Sequence, residues 1–326
     1  MDRERLQRLA AEFCDESPTN YLSLKAEKSR EDVRRNNFAR NNLYGAPSDA
    51  ELLGADEDSG YYGMRFYKTP VFAIGSADDP GFEELRREGV VGPSHRLPRD
   101  WTPEAKSVIS FFLPFADRTV EANKKDPVEP AMEWLYTRVD GQQHLLALGA
   151  RVRDALRGEG YDAAAPQIEE EYVMRAGPAP MPGADLRGVP PYASNWSERH
   201  VGYVTGLGTF GKSTNFISKV GCAGRLISVV TSWEATPDEK DYGGVYDYCN
   251  GCMACRRRCP GKAYAGDGKD HRLCGEFIHR TCMKYAPRYG CGKCQSGIPC
   301  EREQMRAKAG GSGADARPDA GGENRI

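Results

Sequence analysis

This sequence is short of histidine, of long apolar runs and of net charge. Its five histidines, His95, His144, His200, His271 and His279, stand at no spacing that pairs them on one helical face or brackets a metal ion. An imidazole-built metal site is therefore not expected. No apolar stretch approaches the roughly 18 residues of a bilayer-spanning helix. The opening Met1-Asp-Arg-Glu-Arg has neither the apolar centre of a secretory leader nor a twin-arginine or lipoprotein signal, so a cytoplasmic location is expected. A formal net charge of -2 and a pI of about 6.3 give no general pull toward nucleic acid or an anionic membrane. What remains is a chain of 326 residues, long enough for two domains and a sizeable core, with 36 glycines that predict many turns.

Cysteine, by contrast, is plentiful and clustered: nine of the eleven lie between Cys249 and Cys300. The first half of that stretch, Cys249-Asn-Gly-Cys252-Met-Ala-Cys255-Arg-Arg-Arg-Cys259-Pro260, has the C-x2-C-x2-C-x3-C-P spacing of a bacterial-ferredoxin cluster run. A cubane needs soft thiolates converging on several irons, and three cysteines this close on a tight turn can wrap one side of it. In such a run the fourth cysteine, here Cys259, serves the other cluster, so a second group of thiols should follow. Cys274, Cys282, Cys291, Cys294 and Cys300 supply it with one to spare. We assign Cys249, Cys252, Cys255 and Cys300 to one 4Fe-4S cluster and Cys259, Cys274, Cys291 and Cys294 to the second. Cys282 is the spare and the alternative to Cys300. A disulfide scaffold is disfavoured by the chain's length and by the lack of a leader. Zinc is the better rival, since Cys291-Gly-Lys-Cys294 could be half a zinc ribbon, but zinc sites do not need a triple followed by C-x3-C-P.

Ahead of the cysteines the pattern alternates. Leu6, Leu9, Ala10 and Phe13 predict an amphipathic helix over residues 1–14, with Cys14 packed at its end. The polar span Thr19 to Gly60, rich in Arg and Asn from Arg30 to Asn42, reads as a solvated face. Val71 to Gly75 is a short strand, Phe82 to Gly89 a charged helix, and Pro103 to Pro114 a second strand; together they suggest an α/β layer. Met132 to Arg157 predicts a long helix across the sheet, interrupted by Gly141 and Gly149. Tyr161 to Pro191 is a Pro- and Gly-rich loop centred on Gly177 to Gly183, of a length that is usually functional or disordered. Glu198 to Thr205 is helical, and Phe216 to Lys219 and Arg225 to Trp233 are strands, with Cys222 in the core between them. The tail from Ala307 has a disordered composition.

Gly206-Leu-Gly208-Thr-Phe-Gly211 matches the dinucleotide fingerprint letter for letter. That fingerprint, however, requires a strand before it, a helix after it and an acid about 20 residues on. Here a helix precedes and a strand follows, and Glu234 is only incidentally acidic, so NAD is not expected. Consecutive backbone N–H groups beside Lys212, Ser213 and Thr214 could still form an anion-binding concavity. A plain tight turn is the alternative.

Four stretches together resemble the epoxyqueuosine reductases and, more distantly, the reductive dehalogenases. They are Ala105 to Pro114; Glu198-Arg199 with Thr205-Gly-Leu-Gly-Thr-Phe-Gly-Lys-Ser-Thr214 and the strands after it; the C-x2-C-x2-C-x3-C-P run; and Cys274 followed by Tyr289-Gly-Cys291-Gly-Lys-Cys294. The likeness covers roughly residues 70 to 301. It implies a nitroreductase-like α/β domain over residues 1–240 that holds cobalamin, fused to a bacterial-ferredoxin-like two-cluster 4Fe-4S module over 241–301, with a disordered tail from 302 to 326. Within that domain it implies a cofactor-binding role for Gly206, Gly208, Gly211, Lys212, Ser213 and Thr214. It also implies electrons passing from an external donor through the clusters to a cobalamin that reduces an epoxide, a halide or a similar substrate.

Three departures qualify it. Where the family has an Asp as proposed acid upstream of its Glu-Arg pair, this chain has Tyr192. A tyrosine can donate a proton, and the reductive dehalogenases resemble this in using one, so Tyr192 is the catalytic candidate against an ordinary packed aromatic. Cys294-x5-Cys300-Glu replaces the family's C-x3-C-P, which leaves Cys300 and Cys282 both open as last ligand. The helical repeats that some members use beside tRNA do not follow, which weakens a tRNA substrate. Arg256-Arg-Arg258 reads as solvated charge offsetting the thiolates, or as a docking patch for a flavodoxin or ferredoxin donor or for a nucleic-acid phosphate. A ferredoxin-like electron carrier without cobalamin chemistry is the alternative function.

Overall fold

The computed structural model describes residues 1–25, 53–175, 188–264 and 268–306. Helix α1 (Arg3–Glu16) opens on Asp2, whose carboxylate accepts from the Arg5 amide at 2.8 Å, and buries Leu6, Ala10 and Cys14. Strand β1 (Val71–Ser76) and the short α2 (Gly81–Leu85) follow. Strand β2 (Ser107–Pro114), buried at every position, leads into α3 (Asp117–Lys125). Next come α4 (Met132–Val139), α5 (Gln142–Gly158), and the two-residue strands β3 (Ala163–Ala164), β4 (Met174–Arg175) and β5 (Ala193–Ser194). Helix α6 (Glu198–Val204) runs into a hairpin of β6 (Gly208–Phe210) and β7 (Phe216–Ser218), and β8 (Gly224–Thr231) completes the sheet. The cysteine-rich segment adds α7 (Ala254–Arg257) and α8 (His271–Tyr285).

The main sheet runs β1-β2-β8-β3 with every pairing antiparallel, Ile109 facing Ile74 on one side and Val229 on the other. Alternation along β2 and β8 builds three layers. Ile109, Phe111, Ile227 and Val229 join the larger core with α1 and α5, while Val108 and Val230 join a second one with Trp196, Val201 and Val204. Leu145, Leu148, Val152 and Leu156 of α5 are all but fully buried, each stabilising the fold by about 1.5–3 kcal/mol relative to exposure.

The expected long helix is two helices. The break falls at Asp140-Gly141, where Asp140 turns its carboxylate to Arg288 (Nε–Oδ2 2.8 Å) instead of continuing an exposed face. The helix expected over 82–89 stops at Leu85, and the strand expected from 103 begins at Ser107.

The segment after residue 240 is fastened to the sheet lobe by buried ties. Asn123 donates to the Cys291 carbonyl at 3.0 Å, Asn215 to the Cys294 carbonyl at 2.9 Å, and the buried Lys293 ammonium to the Asn123 carbonyl at 2.7 Å. Residues 302–306 stay on the body: the Met305 amide donates to the Tyr248 carbonyl at 2.9 Å and Arg302 pairs with Glu121 at 2.5 Å. The Arg- and Asn-rich span from Arg30 to Asn42, the centre of the proline loop and the tail from Ala307 lie outside the described residues.

Candidate active-site cavity

A cavity of about 460 Å³ opens between the sheet lobe and the cysteine-rich segment. Phe112, Phe216 and Leu226 form an apolar wall from the sheet side, and Cys259, Cys274, Cys291 and Cys294 line the opposite side. The four thiols assigned from spacing to one cluster therefore share a single cavity. Gly292, between two of them, has φ +69°, and a Cβ there would fall 2.0 Å from the Trp134 ring, so only glycine lets this loop close onto α4.

The other assigned thiols gather behind it. Cys249, Cys255 and Cys300 pack around Cys222, Tyr248 and Ile298, with Cys252 exposed at the surface. The neighbour of Cys300 is Cys222, with sulfurs 3.9 Å apart, and not Cys282, which is buried with Val139 and Tyr289. Spacing could not show that approach, because Cys222 lies 78 positions from Cys300.

As free thiols Cys291 and Cys255 resist ionisation, while the contact with Cys222 lowers Cys300. Burial first, and the Cys294 charge second, push Cys291 up to about 12; burial, then Cys294, raises Cys255 to about 11. A multi-iron cluster supplies the positive charge that lets such thiols bind as thiolates, so the donor set fits one. Among the described residues no three His, Cys, Asp or Glu side chains come together as ligands to a single metal ion.

Tyr192 also lines the cavity. It is held at φ 62°, a left-handed conformation uncommon for an aromatic residue, and stacks on His271 with ring centres 5.4 Å apart. Sequence reading missed two further features. The first is Glu198 on the cavity wall, whose carboxylate oxygens are buried without a hydrogen-bond partner; burial raises it to about 7, opposed by the nearby Ser228 and Gln167. The second is a set of arginines: Arg199, which faces Cys294 and donates to the Thr214 carbonyl at 2.8 Å, and Arg138 with Arg225. Arg225 did leave a signal, a charge inside an otherwise apolar strand. Of the histidines, only His271 lines the cavity, and burial lowers it to about 4.

The glycine loop stands apart from this cavity. None of Gly206, Gly208, Gly211, Lys212, Ser213 and Thr214 lines the cavity. A Cβ at Gly208 would sit 2.2 Å from the Ile217 carbonyl, so that glycine serves the β6-β7 hairpin. Lys212 lies 3.9 Å over the Tyr246 ring, and the Ser213 carbonyl accepts from Tyr264 at 3.1 Å. Arg256 and Arg257 are exposed, but Arg258 turns inward and donates to the Ser296 and Lys124 carbonyls at 2.7 and 2.8 Å, so the expected surface patch has two arginines, not three.

Fold and site together define a three-layer α/β chain with a thiol-lined cavity at the edge of its sheet. No protein-family model and no curated protein matches it. Solved structures do. An epoxyqueuosine reductase from Streptococcus thermophilus is 21% identical with a TM-score of 0.41, over 73% of this chain and 64% of that one. One from Bacillus subtilis is 18% identical with a TM-score of 0.43, over 72% and 62%. A catabolic reductive dehalogenase in complex with 3-bromo-4-hydroxybenzoic acid is 14% identical with a TM-score of 0.45, over 93% and 37%. The chain resembles both groups and spans less than two thirds of each relative's length. Its chemistry rests on its own residues. Among the described residues no helix is long and apolar enough to cross a membrane.

Proposed function

We propose that this chain is an iron–sulfur oxidoreductase of the epoxyqueuosine-reductase-like kind, with two 4Fe-4S clusters, a cobalamin, and an epoxide, halide or comparable leaving group on its substrate. When bound, these groups supply low-potential electrons to the reacting bond. The observation that carries the reading is the shared cavity: Cys259, Cys274, Cys291 and Cys294 line it together with Tyr192 and Glu198.

In this reading Cys249, Cys252, Cys255 and Cys300 hold the outer cluster, and Cys259, Cys274, Cys291 and Cys294, four of the five cysteines that line the cavity, hold the inner one. Arg199 offsets the thiolate charge at Cys294. Tyr192 holds a proton at its phenolic oxygen on the cavity wall, and Glu198, kept neutral by burial to about pH 7, is a second proton store beside it. Phe112, Phe216 and Leu226 keep water from the sheet side and offer a flat apolar face to a corrin. The exposed Arg256 and Arg257, next to the exposed Cys252, suit docking of an acidic flavodoxin- or ferredoxin-type donor. The reading admits a modified nucleoside or a small halogenated or epoxide-bearing molecule as substrate; a solved epoxyqueuosine reductase is bound to a tRNA stem loop.

Anaerobic purification with cobalamin supplied tests it. About eight irons with matching sulfide are expected per chain, together with a retained corrin band in the visible spectrum. Iron–sulfur absorbance without the corrin band would reduce the protein to an electron carrier, and zinc in place of iron would end the proposal.

A further inference from the structure

Arg138 and Arg225 stand together on the cavity wall, one from the last turn of α4 and the other from the start of β8. An Arg225 Nη donates to the Arg138 carbonyl at 3.0 Å. The Arg138 guanidinium lies 4.9 Å over the Tyr289 ring, and its Nε is buried with no hydrogen-bond partner. Burial first, and the charge of Arg138 second, lower Arg225 to about 10. Two guanidiniums held together on a half-buried wall repel each other and lose part of their hydration, which is unfavourable unless an anion joins them.

Among the described residues no carboxylate forms an ion pair with either side chain, whereas Arg288 has Asp140 at 2.8 Å. The charge that acts most on Arg225 is that of Arg138, while Cys294 acts on Arg199. Beside the pair the wall is apolar, built from Phe115, Trp134, Leu145 and Leu146.

We propose that Arg138 and Arg225 recognise the acid group of the substrate, a small organic oxyanion whose apolar body lies against Trp134 and the neighbouring side chains. This rests on reading the cavity as a reductase's substrate chamber. A guanidinium pair matches a carboxylate or a phosphate ester, each able to accept several N–H donors at once.

The test is calorimetric titration of the anaerobically purified protein with benzoate, phenyl phosphate and the neutral benzamide. At least one of the two anions should bind about tenfold or more tighter than benzamide. Arg138→Gln should weaken that anion by about 10- to 100-fold, the loss of one charge-assisted hydrogen-bonding group, and leave benzamide unchanged. Arg225→Lys should weaken it less than Arg225→Gln. If Arg225→Gln does not fold, Arg138→Gln at the end of its helix carries the test, with near-ultraviolet circular dichroism as its control. Equal affinity for benzoate, phenyl phosphate and benzamide, or anion binding indifferent to Arg138→Gln, would overturn the inference. The corrin's own phosphate is a second source of oxyanion, so cobalamin is compared with cobinamide, which lacks it. If Arg138→Gln weakens cobalamin but not cobinamide, the pair holds the cofactor and the substrate assignment falls. Iron measured on the same sample separates the two readings: anion binding in an iron-free protein sinks the reductase and leaves this inference standing, while full iron without anion binding sinks this inference alone.

Discussion

Arg288 grips Asp140 through two parallel hydrogen bonds, Nε to Oδ2 at 2.8 Å and Nη to Oδ1 at 3.0 Å, with the two side chains only 6% and 0% exposed. The same carboxylate accepts from the Gly54 amide at 2.7 Å, and Arg288 also donates to the Gly54 carbonyl at 2.8 Å. Three distant parts of the chain meet there, at the break between α4 and α5. Breaking a buried pair from one side strands a charge, so Arg288→Ala should cost about 3–5 kcal/mol. The double variant Arg288→Met, Asp140→Leu should recover much of it. A denaturant titration in which the single variant moved stability by less than about 1 kcal/mol would show that the pair does not hold the segment.

Ligand assignment is read directly from iron content. Cys300→Ala and Cys259→Ala should each drop iron from about eight to about four per chain, the loss of one cubane. Cys282→Ala should leave iron unchanged, because that thiol is buried with Val139 and Tyr289 away from both groups. Iron lost from the Cys282 variant and kept in the Cys300 variant would exchange their roles.

Tyr192→Phe removes one oxygen and keeps the stacking on His271. If the phenol delivers the proton, turnover should fall about 100-fold or more with iron and corrin content unchanged. A variant that turned over at the wild-type rate would leave Glu198 as the acid.

Glu198 also predicts a pH dependence of stability. Burial raises it from an ordinary 4.5 to about 7, so the native state keeps a proton that the unfolded chain has released. Native stability from this group is then fully present below about pH 4.5 and declines as pH rises toward 7. Glu198→Gln should abolish that slope and make the protein about 3 kcal/mol more stable than wild type at pH 8. Parallel unfolding curves for the two proteins from pH 5 to 8 would rule out the buried, neutral carboxyl.

Much of this architecture is legible in the order of the residues. The β-branched runs of β2 and β8 announce the sheet, and the cysteine spacing groups Cys259, Cys274, Cys291 and Cys294, which line one cavity. Two things resist such reading. Gly141 marks an interruption in the sequence, but a helical period cannot reveal that Asp140 beside it is spoken for by a residue 148 positions away. Nor does a glycine pattern tell which partner the glycines accommodate: Gly208 makes room for the Ile217 carbonyl of its own hairpin, and the letters would be the same for a cofactor. Arg138 and Arg225 come from separate elements, and only their shared wall makes them a pair.

Asn123 and Asn215, both in the sheet lobe, hold the main-chain carbonyls of Cys291 and Cys294. Their grip is on the backbone and leaves each sulfur unencumbered. In the proposed reductase, the span from these loops to the chamber is thus built in during folding. The tempo of the protein would then be set by arrivals and departures at the chamber's mouth.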